Sequence, residues 1–335
     1  RICVDCQAQQ IDSRLNAVVS MMDTKKVELA RAFVVERDPV IFFTAPRTDT
    51  FFIKIHDEIY SGGDDHFYRM SIHTDPVILS SMPLAIAPSG KASLQLIGWN
   101  LPQGKPSPIT WKGVPLLIQT QNVVARLPAN SRVRPLVPQF PSLLVANCPG
   151  TEVPVFGNQR WNLAESTAAV VLEIPAETTK QKPQKIAVPC EINGRFYPAA
   201  DEDWYEFEAK KDVKLWIEVV SNRMGTDADP YFLIQRMDQD KEGKLVTADV
   251  LQADDPSTRN AGIRNSYSIA SDDPSVLWTV PQDGTYRIMV RDQFGSARRD
   301  PRSCYRLVIR PPKPDFHVIG IPQELKTANN NNVPA

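Results

Sequence analysis

Apolar and polar residues alternate with a period of two along much of the chain. In "VKLWIEVV", Val213, Leu215, Ile217 and Val219 fall on one face. In "TYRIMVRD", Tyr286, Ile288 and Val290 alternate with Arg287, Met289 and Arg291. In "YRLVIR", Tyr305, Leu307 and Ile309 alternate with Arg306, Val308 and Arg310. Tyr205 and Phe207 alternate with Trp204, Glu206 and Glu208 in "DWYEFEA". This period, carried by β-branched and aromatic residues, predicts half-buried antiparallel strands. "PQDGTY" and "PRTDTF" read as tight turns just ahead of strands. One stretch, "DTKKVELARAF" from Asp23, fits a helical period; its place in the pattern suits a strand connection equally well.

The pattern is also written twice. "DPVIFFTAPRTDTFFIKIHD" (38–57) aligns without a gap on "DPSVLWTVPQDGTYRIMVRD" (273–292). Asp38, Pro39, Thr44, Pro46, Thr50, Ile53 and Asp57 face Asp273, Pro274, Thr279, Pro281, Thr285, Ile288 and Asp292. "FYRMSI" (67–72) then answers "CYRLVI" (304–309), and Ile2–Cys6 matches Leu215–Val219. Preserved order and spacing imply an internal repeat of one structural unit. Roughly thirty residues ahead of Lys214, about three strands with turns, have no counterpart in the first copy. The expectation is a piece of a longer polypeptide whose first unit is cut open.

Four segments follow: residues 1–74, the truncated first unit; 75–173, a different β unit; 174–312, the complete second copy; and 313–335, a linker ending in a polar Asn run. The second segment carries "ASLQLIGWNL" and "PLLIQTQNVVARL" between Pro/Gly-rich turns. It reads as an immunoglobulin-like sandwich with a Pro-broken tail, "RVRPLVPQFPSLLVANCPG".

Composition adds limits rather than direction. The 335 residues are 42% hydrophobic and 23% charged, with a net charge of −1, which supports a proper core and no global pull towards nucleic acid. No apolar run is long enough to span a bilayer. The 29 prolines favour turns and strand edges over long helices. The five cysteines are too few for a disulfide scaffold. "CVDC" lacks a second C-x-x-C for zinc, and a strand would put Cys3 and Cys6 on opposite faces. Cys190 and Cys304, near the first and last strands of the second copy, are candidates for a disulfide.

Several of these stretches resemble a known family. "GRFYPAADEDWYEFEAKKD", "DPYFLIQRMD", "VPQDGTYRIMVRD" and "CYRLVIRPPKPDF" are similar to the bacterial pre-peptidase C-terminal domain. That family is a jelly-roll-like β-sandwich appended to secreted proteases and repeated in large surface proteins. "LIGWNLPQG" resembles a strand of the immunoglobulin-like modules that sit between such domains. The resemblance implies an all-β chain of tandem antiparallel sandwiches, jelly-roll-like units flanking an immunoglobulin-like one. It further implies an extracytoplasmic, non-catalytic module. Relatives hold calcium through an acidic lead-in and a D-x-D. Here "DED" supplies Asp201 and Asp203, and "LEIPAETT" offers Glu173 and Glu177 in place of the family's Glu-Pro-Asn. The expected calcium ligands are therefore Asp201, Asp203 and Glu177, since a hard cation seeks six to eight oxygens.

Other candidate chemistry is thinner. His56, Asp57, Asp64, Asp65 and His66 bracket one hairpin and could bind a transition metal. The second copy replaces His56 by Arg291, so the shared acids read as turn or salt-bridge groups. Arg287, Arg291, Arg298, Arg299, Arg302, Arg306 and Arg310 crowd the last hairpin, where a solvated outer face paired with Asp283, Asp292 and Asp300 is expected. Trp204, Trp216, Trp278 and Phe294 would form a sugar-stacking platform if exposed; Trp216 and Trp278 are placed opposite the apolar face, and packing within the sandwich is the favoured reading. No G-x-S-x-G, H-E-x-x-H or G-x-x-x-x-G-K-[ST] motif occurs. The expectation is a non-enzymatic structural or adhesion segment of a larger surface or secreted protein. The alternative is an accessory module holding a secreted hydrolase on its substrate. Partners would be extracellular protein or polysaccharide and further domains of the same polypeptide, without nucleic acid or membrane insertion.

Overall fold

The computed structural model describes residues 1–34, 38–87, 90–124, 134–135, 149–154, 156, 160–166, 168–175, 177–239, 241–243, 245–255, 271–297 and 300–314. Cys148, Arg298, Arg299, most of the Pro-broken tail and the Asn run lie outside them. The described residues form largely antiparallel sheets, with short parallel pairings at their edges, joined by turns and by two short 3-10 turns. The all-β expectation holds. The stretch with the helical period is the strand Glu28–Phe33, reached through a turn closed by Asp23, whose carboxylate accepts from the amides of Lys25 and Val27. Its register on Ala17–Met22 overrides the weak helical pattern.

At the N-terminal end, Ile2–Gln7 lies between Val40–Phe43 and Arg69–His73, and Ala17–Met22 lies between Glu28–Phe33 and Phe52–Asp57. Val4, Cys6, Val19, Met21, Ile41 and Phe43 fill the space between these sheets. At the C-terminal end the two sheets are five-stranded. One runs Ala169–Leu172, Cys190–Arg195, Cys304–Arg310, Lys214–Val220, Ser275–Thr279; the other runs Gln184–Lys185, Glu202–Ala209, Gly284–Asp292, Pro230–Gln239, Leu245–Ala253. Their facing sides carry the predicted alternation. Tyr205, Phe207, Leu215, Ile217, Val219, Tyr286, Ile288, Val290, Tyr305, Leu307 and Ile309 are all in one core. Val213, just ahead of its strand, is exposed. Between these ends, Val77–Met82, Lys91–Trp99, Val114–Val124 and Lys105–Trp111 form a further sheet.

The pieces are joined by two different kinds of contact. Cys3 and Phe42 pack on Trp99 and Trp111, with Phe42 stacked on Trp99 at 5.2 Å. Cys6 points the other way, into the N-terminal core, as the strand reading of "CVDC" expects. The second contact is polar. Asn193 accepts hydrogen bonds from the Leu84 and Ala85 amides (2.8 and 3.0 Å) and donates to Glu191. Glu191 holds Arg306 through two bonds of 2.6 and 2.9 Å, and Arg306 donates to the Glu165 carbonyl at 3.5 Å. Arg306 is therefore buried at a junction, which corrects its placement on a solvated face. Alternation puts it on the outer side of its sheet, but that side is covered. Arg287 and Arg302 are ion-paired to Glu206 and Asp300, Arg291 lies 3.7 Å from Glu202, and Asp283 pairs with Lys210 instead.

Two further expectations fail. Cys190 and Cys304 sit on neighbouring strands, but Cys190 is opposite Ile309 and Cys304 is opposite Arg195. Five strand positions separate them, roughly 17 Å at 3.4 Å per residue, beyond the reach of a disulfide. Both are free and buried, as are Cys3 and Cys6. Trp278 is in the core against Tyr286 (5.1 Å), and its neighbour Leu277 faces out. Trp204 is also buried, with Lys180 over its ring at 5.4 Å. Only the outward placement of Trp278 fails; with two of the four aromatics enclosed no shared stacking platform forms, as the packing reading expects.

The matched aspartates do matching work. Asp38 accepts from the amides of Ala8, Gln9 and Gln10 at 2.8 to 3.0 Å, holding the 3-10 turn Gln9–Ile11. Asp273 accepts from the amides of Ser221, Asn222 and Arg223 at 2.7 to 3.0 Å, holding the 3-10 turn Asn222–Met224. Each turn ends on a left-handed residue, Asp12 (φ 65°) and Gly225 (φ 80°). Removing either carboxylate strands buried amide donors. Asp38→Ala and Asp273→Ala should each lower unfolding free energy by roughly 2–4 kcal/mol in urea melts, well beyond an ordinary surface substitution.

Candidate functional site

One end of the C-terminal sandwich gathers carboxylates. Glu173, Asp201 and Asp203 each bring one oxygen within 4.8 Å of the others. Glu173 follows the strand Ala169–Leu172, which runs parallel to Cys190–Arg195 at the sheet edge. Asp201 leads into the strand Glu202–Ala209, and Asp203 is its second residue. The segment 177–182 passes over this strand, with the Thr178 carbonyl accepting from the Trp204 amide at 2.8 Å.

Each acid is held differently. A Glu173 oxygen accepts from the Arg195 amide (2.7 Å), and an Asp201 oxygen from the Tyr197 amide (3.1 Å). Asp203 is 1% exposed; its Oδ2 accepts from the Tyr305 hydroxyl at 2.6 Å, and that hydroxyl lies 2.5 Å from Tyr205 Oη. The Asp203 Oδ1 atom is buried and has no donor in hydrogen-bond geometry. Gly194 makes room for this arrangement, since a Cβ there would lie 2.4 Å from the Tyr305 ring.

Burial raises all three acids, and neighbouring carboxylates add to it. Burial, more than the nearby Asp201, pushes Glu173 up to about 7. Asp201 is raised by burial and then by Glu202. Asp203 lies well above the ordinary aspartate range, through burial first and then through Glu173 and Asp201, with the Tyr305 and Thr178 hydroxyls pulling the other way. Burial and the adjacent Asp203 also raise Tyr205 and Tyr305. A cluster that resists ionisation has two ways to settle. It holds protons, or it holds a cation.

Of the expected ligands, Asp201 and Asp203 come together and Glu177 does not. Glu177 is half-exposed and pairs with Lys182 at 3.0 Å. The turn after Leu172 carries Glu173 inward, and the position four residues on faces solvent. Tyr305 and Tyr205 were legible as core residues, but nothing in the spacing announced their hydroxyls as partners of Asp203. His56, Asp57, Asp64, Asp65 and His66 do not gather three ligand atoms at one point. His56 stacks on Tyr60 (4.6 Å), Asp57 accepts from the amides of Asn16, Ile59 and Ser61, and Asp65 binds His66 at 2.7 Å. A second acid group, Asp229, Asp254 and Asp255, gathers near the end of the strand Leu245–Ala253, where Asp254 accepts from Gln293 at 2.5 Å.

No family model matches the chain. No curated protein matches it either. Two solved structures that do match are a pre-peptidase C-terminal domain and a copper-binding protein. The first belongs to a collagenase from Bacillus anthracis, at 11% identity and a TM-score of 0.26, covering 38% of this chain and 94% of that one. The second is CorA, described as a surface-associated copper-binding protein important in copper acquisition by Methylomicrobium album BG8. It matches at 11% identity and a TM-score of 0.22, covering 44% of this chain and all of that one. Among the described residues, no helix is long and apolar enough to cross a membrane.

The raised acids fix the sign of a pH effect. Without a cation, the unfolded chain ionises from about the ordinary carboxyl range of 3.8 to 4.5, while folded Glu173 keeps its proton to about 7. Over that window the folded state binds more protons, so stability falls as pH rises. Metal-free protein should be more stable near pH 5 than near pH 8, by on the order of 1 kcal/mol per pH unit through the window. Thermal melts of Glu173→Gln should show a flatter dependence.

Proposed function

We propose that this chain is a non-catalytic, extracytoplasmic structural or adhesion segment made of repeated β-sandwich units of the pre-peptidase C-terminal type. In this reading the N-terminal and C-terminal sandwiches are copies of one unit, separated by an immunoglobulin-like one, with boundaries near residues 74, 173 and 312. The matched sequence and the matched roles of Asp38 and Asp273 support it. The C-terminal unit is stiffened by calcium bound to Glu173, Asp201 and Asp203.

The observation that carries the calcium reading is the unpartnered, buried Oδ1 of Asp203 beside two further carboxylates. Three anionic oxygens suit a hard cation, and no cysteine or histidine belongs to the set. Bound calcium would neutralise the repulsion that raises these acids and would tie the lead-in at Glu173 to the strand at Asp203. The same enclosure argues against catalysis at this site. Asp203 is covered, while Glu173 also lines a cavity with Asn193, Arg195 and Tyr197.

Calorimetry with calcium on the full chain tests this. Millimolar calcium should bind and raise the melting temperature by roughly 5 °C, the shift expected for a ligand well above its Kd. The double variant Asp201→Asn/Asp203→Asn should lose both effects and yet stay folded, because two isosteric amides relieve the repulsion. Wild-type protein that neither binds nor shifts at millimolar calcium would overturn the calcium reading and leave the triad as a proton-holding cluster.

A further inference from the structure

Arg195 ends the strand Cys190–Arg195 and shares the outer side of its sheet with Glu191 and Asn193. Its Nε and Nη2 atoms are buried and have no hydrogen-bond partner among the described residues. The N–H groups on these two atoms leave one edge of the guanidinium in parallel, as the fork that grips both oxygens of a carboxylate. The chain uses this fork elsewhere. Arg306 turns the same two atoms on Glu191, at 2.6 and 2.9 Å, and Arg302 turns them on Asp300. At Arg195 no carboxylate of the chain takes that place. Glu173 spends its Oε2 on the Arg195 main-chain amide, at 2.7 Å. Cys304 lies opposite Arg195, but burial pushes its thiol up to about 11, so it brings no anion. Nearly every buried polar group in a folded protein has a partner, and a buried pair of parallel donors without one points to a ligand that supplies the acceptors.

Arg195 also lines a cavity of about 350 Å³ where the sheet containing Met82 and Ile109 meets the C-terminal sandwich. Met82, Pro108, Ile109, Leu172 and Pro175 give this cavity apolar walls. Two of its polar side chains are already committed. Asn193 is held by Leu84, Ala85 and Glu191, and Tyr197 Oη accepts from the Thr110 amide at 3.3 Å. We infer that this cavity binds a small organic carboxylate, with its two oxygens on Nε and Nη2 of Arg195 and its apolar body against these walls. An uncharged apolar molecule would leave the fork unmet, and an inorganic anion would leave the walls unused. The volume is near the lower end for small-molecule sites, so it encloses a small acid and not a length of peptide or polysaccharide. Because the walls come from both sides of the junction, an occupant would also tie the two units together. The inference does not depend on calcium at Glu173, Asp201 and Asp203, although Glu173 borders both places.

Calorimetry on the full chain with benzoate as the probe tests this. Benzoate should bind with a Kd of roughly 1 mM or tighter, and benzamide, of the same shape without the charge, at least about tenfold more weakly. Arg195→Lys keeps the charge and loses the fork, and should weaken benzoate by about tenfold or more. Leu172→Trp is the second variant. Leu172 is 42% exposed on an edge strand, so a larger side chain there fills the cavity without entering a core, and benzoate binding should be lost. Asp201→Asn/Asp203→Asn, which removes two of the proposed calcium ligands, should still bind benzoate. No benzoate binding at about 10 mM overturns the site. So does benzoate that binds no better than benzamide, or that binds Arg195→Lys and Leu172→Trp as tightly as the unaltered chain. Sulfate binding as tight as benzoate overturns the organic acid as the ligand. Loss of benzoate in Asp201→Asn/Asp203→Asn moves the binding to the acid cluster and overturns the cavity.

Discussion

A carboxylate taken out of water must have its charge answered, and this chain answers it repeatedly with backbone amides. Asp38 and Asp273 each collect three amide donors from a 3-10 turn. Asp57 collects three from the turns around it, and Asp292 accepts from Asp229 and Phe294. These acids fix where strands end and how the chain re-enters the next sheet. Their cost of burial is offset by donors that would otherwise be orphaned at turns. Asp203 breaks the pattern. It is as buried as Asp273, yet it has the Tyr305 and Thr178 hydroxyls in place of backbone amides, two neighbouring carboxylates, and an Oδ1 with no donor in hydrogen-bond geometry. The contrast within one molecule is what separates a structural acid from a site.

The same economy distinguishes the two junctions. The aromatic contact of Phe42 with Trp99 and Trp111 is non-directional and tolerates small slides. The Asn193–Glu191–Arg306 contact is directional, because each polar group has its partners in fixed places and loses them on displacement. Arg302 over Trp111 at 5.1 Å adds a cation on the outer side of the aromatic cluster. A chain joined in this way transmits orientation from one sandwich to the next better than it would through apolar faces alone.

Much of the fold was legible from the alternation, because period two shows at once which residues share a side of a sheet. What alternation leaves open is what lies against each side. Arg306 was assigned to the outer side correctly and to solvent wrongly, since the cover comes from residues more than a hundred positions away. Trp278 was misplaced for a different reason. Leu277 and Trp278 are both apolar, so the phase of their strand was ambiguous until its register with Leu215 decided it. The acid site was half legible. "DED" marked Asp201 and Asp203, but choosing Glu173 over Glu177 depends on a turn that spacing alone does not orient. The proposed disulfide failed on antiparallel direction, which puts the first residue of one strand beside the last of its neighbour.

On the proposed calcium reading, proton and cation would compete for the same oxygens at Glu173, Asp201 and Asp203. A raised carboxyl holds its proton more tightly, so a divalent ion bound here would have to displace it, and its binding would strengthen as the pH rises through about 7 at Glu173. Where calcium is scarce, the same group keeps the proton and the sandwich stays closed on its core. On the proposed calcium reading, one ion would link the lead-in, the turn before Glu202–Ala209 and the strand itself, and would stiffen that end. Tyr305 connects that end to the centre of the sheet through Asp203, so a change in the cluster's charge reaches the strand that also carries Arg306 into the junction. Acid site and junction thus share one strand, Cys304–Arg310, with Tyr305 facing the core and Arg306 facing the neighbouring unit.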